Sequence, residues 1–360
     1  MLGVPQREIH IQKREEINMM KRLLAGLLAG ATVLGLTACG ASASREAAVQ
    51  TEKISAVVSG ELTDTAVYGA AKSPKYVFLF IGDGMSYPQF QAASDYLGAM
   101  ADEDYMQAEP SVKDRQGAKL DGPEALNFMN FDVAGSAVTY DSCSFAPDSA
   151  SAATFIATGY KTYSGMINTD ETGTKTYETI AEKLHSQKGW KVGVISSVNL
   201  NHATPAAFYA HQASRNNYYE IGVEMVESGF EYFAGGALKK PTGNNKDKTS
   251  LYDLAKAAGY KVTTTQADAA KVTAKDGKVI FIDEHLADSD AMDYELDRQQ
   301  GEWALADAVQ VAVDFAKQHP KDTLILVTGD HETGGLTIGY AGTDYDTYLT
   351  NLASQTISYA

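Results

Sequence analysis

Two cysteines in 360 residues, Cys39 and Cys143, exclude a disulfide-rich scaffold. Positive charge is in short supply as well. The 30 Lys+Arg against 46 Asp+Glu leave a net charge of -16, which makes tracking along a DNA or RNA backbone a poor reading. Small anionic substrates are not excluded, because they answer to local rather than net charge. There are no repeats, no heptads, no G-x-S-x-G elbow, no Walker loop, no C-x-x-C pair, and no Pro- or Gly-rich linker that would divide the body. What is present is the balance of a soluble globular protein, 44% hydrophobic and 21% charged, neither disordered nor multi-spanning. The length suffices for one large domain or two ordinary ones with a sizeable core.

The N-terminus reads as an export and anchoring signal. Lys21 and Arg22 precede an apolar stretch from Leu23 to Leu36, too short to span a bilayer but suited to a signal-peptide core. It ends in Leu36-Thr37-Ala38-Cys39-Gly40, which resembles a bacterial lipobox, with Cys39 acylated and made the mature N-terminus. A plain signal peptide with an accidental Cys is the alternative. Met20 is a more natural start than Met1, so residues 1–19 read as upstream of the true start. Residues 39–73 are the lipidated Cys and a tether of small and polar residues. Removing residues 1–38 takes five Lys/Arg and three Glu with it and moves the balance from -16 to -18. The expected location is an extracytoplasmic membrane face, reached through the lipid on Cys39.

Residues 74–360 carry the folded body. Short apolar runs at Tyr76–Ile81, Val192–Ile195, Val279–Ile282 and Leu324–Val327 predict buried strands, most of them ending in glycine or polar residues. Thr179–Lys188, closed by Gly189, and Trp303–Lys317, with Leu305, Val309, Ala312 and Ala316 on one face, predict helices. Ala101–Gly122 and Lys239–Ser250 read as surface insertions. Strands alternating with helices predict an α/β fold with a mostly parallel sheet covered on both faces. In such sheets ligands gather at the carboxyl ends of strands, where Asp83 and the Asp330-His331 pair fall.

Four segments could do chemistry. Asp83, in Ile81-Gly82-Asp83-Gly84-Met85, places a carboxylate suited to a cation where glycines allow close approach. Asp148 can cap a helix beginning at Ser149, whose hydroxyl then sits at a positive helix end among small residues. Asp330-His331-Glu332-Thr333-Gly334-Gly335 offers oxygen and imidazole ligands to one zinc. Asn201-His202-Ala203-Thr204-Pro205 brings a hydroxyl, and Arg215 a planar fork for phosphate or carboxylate. Taken singly, most read as well as turns, caps and surface side chains. Together they point to metal-activated nucleophilic attack on a phosphoryl group.

Taken in chain order, residues 81–85, 148–152, 201–206, Arg215 and 328–335 resemble the alkaline phosphatase family, from about Pro74 to the end of the chain. The resemblance implies a three-layer α/β sandwich around a mostly parallel central sheet. It implies hydrolysis of phosphate monoesters through a phosphoserine, with two zinc ions and one magnesium. Ser149 resembles the nucleophile and a ligand of the second zinc, and Asp83 the carboxylate shared between that zinc and the magnesium. Asp330 and His331 resemble the zinc's other ligands, and Thr204 a magnesium ligand. His202 matches a position near the magnesium where relatives carry His or Asp. Arg215 resembles the phosphate clamp, with Asp148 orienting it. Dimers are common in the family, and a homodimer is the assembly it implies.

The chain departs from the pattern at the first zinc. The family's Glu-Gly-x-x-x-Asp-x-x-x-His segment should lie between Tyr294–Asp297 and Trp303, but Arg298-Gln299-Gln300-Gly301-Glu302 runs straight across. The segment's Glu, a magnesium ligand, goes with it, and no His follows His331. The acidic stretch Asp283–Asp293 reads as loop without metal. Three explanations follow: a fragmentary or mis-assembled gene product, a shortened one-zinc enzyme, or a non-catalytic phosphate- or metal-binding lipoprotein derived from a phosphatase. A sulfatase or phosphomutase of the same superfamily fits less well, because Asp148–Ala152 together with Asp330–Gly335 favours the phosphatase branch.

Overall fold

The computed structural model describes residues 73–108, 120–283, 301–333, 335–337 and 347–349. The export signal, the lipobox, the tether and the 284–300 stretch lie outside the described residues. A compact unit spans Pro74–Ala360.

The chain enters on β1 (Tyr76–Gly82), a run of apolar and aromatic residues. Helix α1 (Tyr87–Ala101) starts with a reciprocal capping box between Ser86 and Gln89, and a Pro in its first turn. Helix α2 (Ser149–Thr158) is capped by Asp148, whose side chain accepts from the Ser151 N–H. Helix α3 (Ile180–Lys188) carries a Thr179/Glu182 capping box and closes at Gly189, as the sequence predicts. Next come β2 (Gly193–Asn199), the helical turn Ala203–Ala206, α4 (Tyr218–Glu227), β3 (Tyr232–Gly236), α5 (Leu251–Ala257), β4 (Tyr260–Thr263) and β5 (Lys278–Ile282). Helix α6 (Gly301–Gln318) and β6 (Thr323–Gly329) follow. Val309 and Ala312 are buried on the face of α6 that the periodicity assigns.

Every strand pair among the described residues is parallel, in keeping with an α/β fold. The described strands form two ladders rather than one sheet: β1 with β6, and β2-β3-β5-β4. Two strands escape the sequence reading. β3 is a five-residue YFAGG run that ends in glycines, and β4 is only YKVT, too short to show an alternation. β2 also runs on through Ser196-Ser197, where the apolar pattern stops, because pairing with β3 resumes at Asn199 after an irregularity.

The main core lies between the four-stranded ladder and helices α2 to α5. Ile167, Leu200, Ile221, Met225, Phe230, Phe233, Leu251 and Ile280 are all essentially sealed there. Phe233 meets Tyr209 edge-on at 5.5 Å and stacks on Phe230 at 6.2 Å. This packing fixes the start of α2 and the turn after β2. Together with the carboxyl ends of β1 and β6, these carry the chemistry-bearing residues.

Candidate active site

Asp83 leaves the end of β1, and Asp330 leaves the end of β6. The two strands pair in register down to Gly82 opposite Gly329, so the two carboxylates emerge side by side. The glycines are steric necessities. A Cβ on Gly329 would collide with the Met85 carbonyl oxygen. A Cβ on Gly84, at φ +68°, would collide with Thr333. The backbone N–H of Gly84 donates to Asp330 Oδ1 at 2.8 Å, and the His331 N–H donates to the same oxygen at 2.9 Å. Gln89 from α1 donates to the Thr333 carbonyl at 3.1 Å and ties down the loop after β6.

Ser149, the first residue of α2, is buried and points at this cluster. Its Oγ donates to Asp83 Oδ1 at 3.0 Å and lies 3.1 Å from His331 Nε2. His331 Nδ1 faces the Glu332 carbonyl oxygen at 2.8 Å, an arrangement that requires a proton on Nδ1 and turns Nε2 toward the carboxylates. Nε2 stands 3.3 Å from Asp83 and 3.6 Å from Asp330. Thr204, in the helical turn after β2, donates to Asp83 Oδ2 at 2.8 Å.

Asp148 Oδ2 accepts from Arg215 at 2.7 Å, while its Oδ1 accepts from the N–H groups of Ser151 (3.1 Å) and Gly165 (2.9 Å). The second guanidinium NH2 lies 3.3 Å from His202 Nε2. The structure therefore gathers Asp83, Ser149, Thr204, Asp330 and His331 into one hydrogen-bonded cluster and Asp148, Arg215 and His202 into a second, the two meeting where Asp148 precedes Ser149 at the start of α2.

The electrostatics of the cluster call for a cation. Asp330 is fully buried, and its Oδ2 has no hydrogen-bond partner. Burial, reinforced by the Asp83 charge, pushes its carboxyl up to about 7. Burial acts on Asp83 in the same direction, but hydrogen bonds from His331 and Thr204 outweigh it and hold this carboxyl below its ordinary value. Burial opposes a charge on His331, yet the Asp83 hydrogen bond and the Asp330 charge raise it to about 9. The two adjacent carboxylates favour positive charge beside them, which either a proton on His331 Nε2 or a cation bound there in its place would supply. Asp83, Asp330 and His331 offer two oxygens and a nitrogen within 4.8 Å of one another, a donor set that suits a borderline divalent cation. The orphaned Asp330 oxygen and the carboxylate pair fit a resident metal.

His202 differs. Burial and then the Arg215 charge push it down to about 4, so it is neutral and accepts from Arg215 through Nε2. For Asp148, burial would raise the carboxyl, but the Gly165 and Ser151 N–H groups and Arg215 bring it below the ordinary carboxylate value.

Two side chains joined to the second cluster escape the sequence reading. Ser151 Oγ lies 2.9 Å from Asp148 Oδ1 and 3.0 Å from Asp141 Oδ2. A serine in the first turn of a helix is ordinary, and an Asp seven residues ahead of the cap has no motif to mark it.

A sequence profile of the alkaline phosphatase family matches residues 74–303. The chain is 29% identical over 334 residues to alkaline phosphatase 4 of Bacillus subtilis (strain 168), covering 78% of this chain and 67% of that protein. It is 27% identical over 322 residues to alkaline phosphatase 3 of the same organism, covering 74% and 63%. Among solved structures it is similar to the alkaline phosphatase of the Antarctic bacterium TAB5, with a TM-score of 0.58 and 26% identity over 77% of this chain and 85% of that one. The chain spans about two thirds of the length of the curated relatives it matches. With the profile covering more than half of its length, the chain belongs to the alkaline phosphatase family.

Proposed function

We propose that this chain is an exported, lipid-anchored phosphatase that cleaves phosphate monoesters through a phosphoserine on Ser149. The observation that carries the reading is the Ser149 hydroxyl, seated at a helix N-terminus within 3.1 Å of both Asp83 and His331. Ser149 Oγ attacks phosphorus and the bond from phosphorus to the ester oxygen breaks; the serine gives up its proton to solvent, and the ester oxygen takes one from solvent and departs as an alcohol. Water then attacks the phosphoserine, the bond from phosphorus to Oγ breaks, and inorganic phosphate leaves as the serine regains a proton. Arg215, aimed by Asp148, binds two nonbridging phosphate oxygens with its planar fork. The positive end of α2 favours negative charge at the same place. His202 stays neutral and leaves the guanidinium charge to the phosphate.

The metals of this reading are zinc, held by Asp83, Asp330, His331 and Ser149, and magnesium, held in part by Asp83 and Thr204. A bound cation there supplies the positive charge that lowers the serine's pKa and offsets charge on the transferring group. Anchoring through Cys39 at an extracytoplasmic membrane face and assembly as a homodimer are parts of the same proposal.

A second reading is a phosphate- or metal-binding lipoprotein without turnover. It is favoured by one observation: among the described residues, a single three-ligand cluster stands where the family uses several metals. The full chain, supplied with zinc and magnesium, separates the two readings. Hydrolysis of p-nitrophenyl phosphate at alkaline pH that disappears in Ser149→Ala supports the phosphatase. Hydrolysis that survives that change sinks it, and phosphate binding without hydrolysis selects the binder.

A further inference from the structure

The pair of Asp148 and Arg215 rests on a buried hydroxyl. Ser151 is fully buried, and its Oγ lies 2.9 Å from Asp148 Oδ1 and 3.0 Å from Asp141 Oδ2. A hydroxyl carries one proton and can satisfy only one of two carboxylates at a time. Asp141 does not depend on it. Its Oδ1 accepts from the N–H groups of Cys143 (2.8 Å) and Ser144 (2.6 Å), and its Oδ2 accepts from the Ser164 hydroxyl. Of the three oxygens that the Ser151 hydroxyl reaches, Asp148 Oδ1 at 2.9 Å is nearer than Asp141 Oδ2 at 3.0 Å or the Asp148 carbonyl at 3.2 Å.

We infer that Ser151 is a positioning residue for phosphate binding, one that acts through Asp148 on Arg215. With its hydroxyl added, Asp148 Oδ1 has three donors: Ser151 N–H, Ser151 O–H and Gly165 N–H. A carboxylate held at one oxygen by three donors cannot swing about its last torsion. Its other oxygen then presents a fixed acceptor to Arg215 at 2.7 Å. The guanidinium is thereby ordered before phosphate arrives, so less freedom is lost on binding. Ser164 donates to Asp141 Oδ2, so that oxygen keeps a donor of its own when the Ser151 hydroxyl turns to Asp148.

The local design separates this role from folding. Ser151→Ala keeps the backbone N–H that receives the Asp148 cap, and it leaves Asp141 with its three other donors. The inference rests on the reading of Arg215 as the phosphate clamp, so Arg215→Ala serves as the control.

The test is calorimetric titration of the full chain, with zinc and magnesium present, using inorganic phosphate. Ser151→Ala is expected to weaken binding by about three- to tenfold, less than the direct loss of a hydrogen bond to a charged group, because the effect reaches phosphate only through Asp148 and Arg215. In an Asp148→Ala background the same change is expected to shift affinity by less than about twofold, because its path is gone. The Arg215 side-chain N–H resonance should broaden in Ser151→Ala before any phosphate is added, with the melting temperature unchanged. An unaltered affinity in Ser151→Ala, or an equal loss in both backgrounds, overturns the positioning role. If Arg215→Ala itself binds phosphate normally, the clamp reading falls first and the inference goes with it.

Discussion

Asp330 shows at the scale of one residue what the site is built to hold. It is fully buried beside a second carboxylate and has an oxygen with no hydrogen-bond partner, only the His331 ring at 3.6 Å, an expensive arrangement unless a cation completes it. Asp330→Asn keeps an oxygen for the Gly84 and His331 N–H groups and removes only the charge. In chelated protein the variant should melt no lower than the parent. The parent should gain stability on adding zinc, about 2.7 kcal/mol at a hundred times the dissociation constant, and the variant should lose that gain. Scanning calorimetry with and without zinc decides; equal stabilisation of both proteins would show that Asp330 is no ligand. Asp83, Ser149, Asp330 and His331 were legible in the sequence because each sits at the end of a strand or the start of a helix. Ser151 and Asp141 were not, because their meaning depends on a loop that folds Asp141 back against the first turn of α2.

Between elements, His211 acts as a clamp. Its ring lies 3.3 Å from Glu182 on α3 and 3.3 Å from Glu224 on α4, and its backbone N–H also donates to Glu224 at 2.6 Å. Burial works against the charged ring, but hydrogen bonds and charge from the two glutamates raise it to about 9. A pKa raised on folding means that the folded chain holds its proton more tightly than the unfolded chain. The stabilisation is therefore complete below the unfolded value of about 6.5 and fades as pH climbs through about 9. For a protein proposed to work in alkali, this is a liability. Denaturant unfolding between pH 6 and 10 should show stability falling across that window, with His211→Ala flattening the slope; an unchanged slope would remove His211 as its cause. The elements themselves were mostly readable. α2, α3 and α6 carry caps or periodic apolar faces, whereas β3 and β4 are too short or too rich in glycine to show a pattern.

Across the molecule, one face of the β1-β6 ladder is part-exposed among the described residues. Val77 and Leu79 of β1 pair with Leu324 and Leu326 of β6, and these four are 36–46% exposed. On the opposite face Phe78 meets Phe315 of α6 at 5.4 Å. A contiguous aliphatic strip of this kind is unusual on a soluble surface. It should bind a hydrophobic fluorescent dye under native conditions, and Leu79→Thr combined with Leu326→Thr should cut the signal. Dye binding that ignores both substitutions would place the apolar surface elsewhere. Val309 and the apolar face of α6 were foreseeable from periodicity, but the part-exposed strip was not, since a buried strand and a half-covered one share the same apolar run.

The sequence by itself determined the family, the parallel α/β character and which residues gather at the candidate site. These follow from local rules, namely which residues end a strand, cap a helix or leave room for close approach, and such rules are written in short segments. The tertiary structure alone decided how the strands divide into ladders, that Ser151 and Asp141 reach Asp148, and that His211 bridges two helices. Each of these joins segments through packing, where burial and hydrogen-bond geometry assign a partner that spacing along the chain cannot specify.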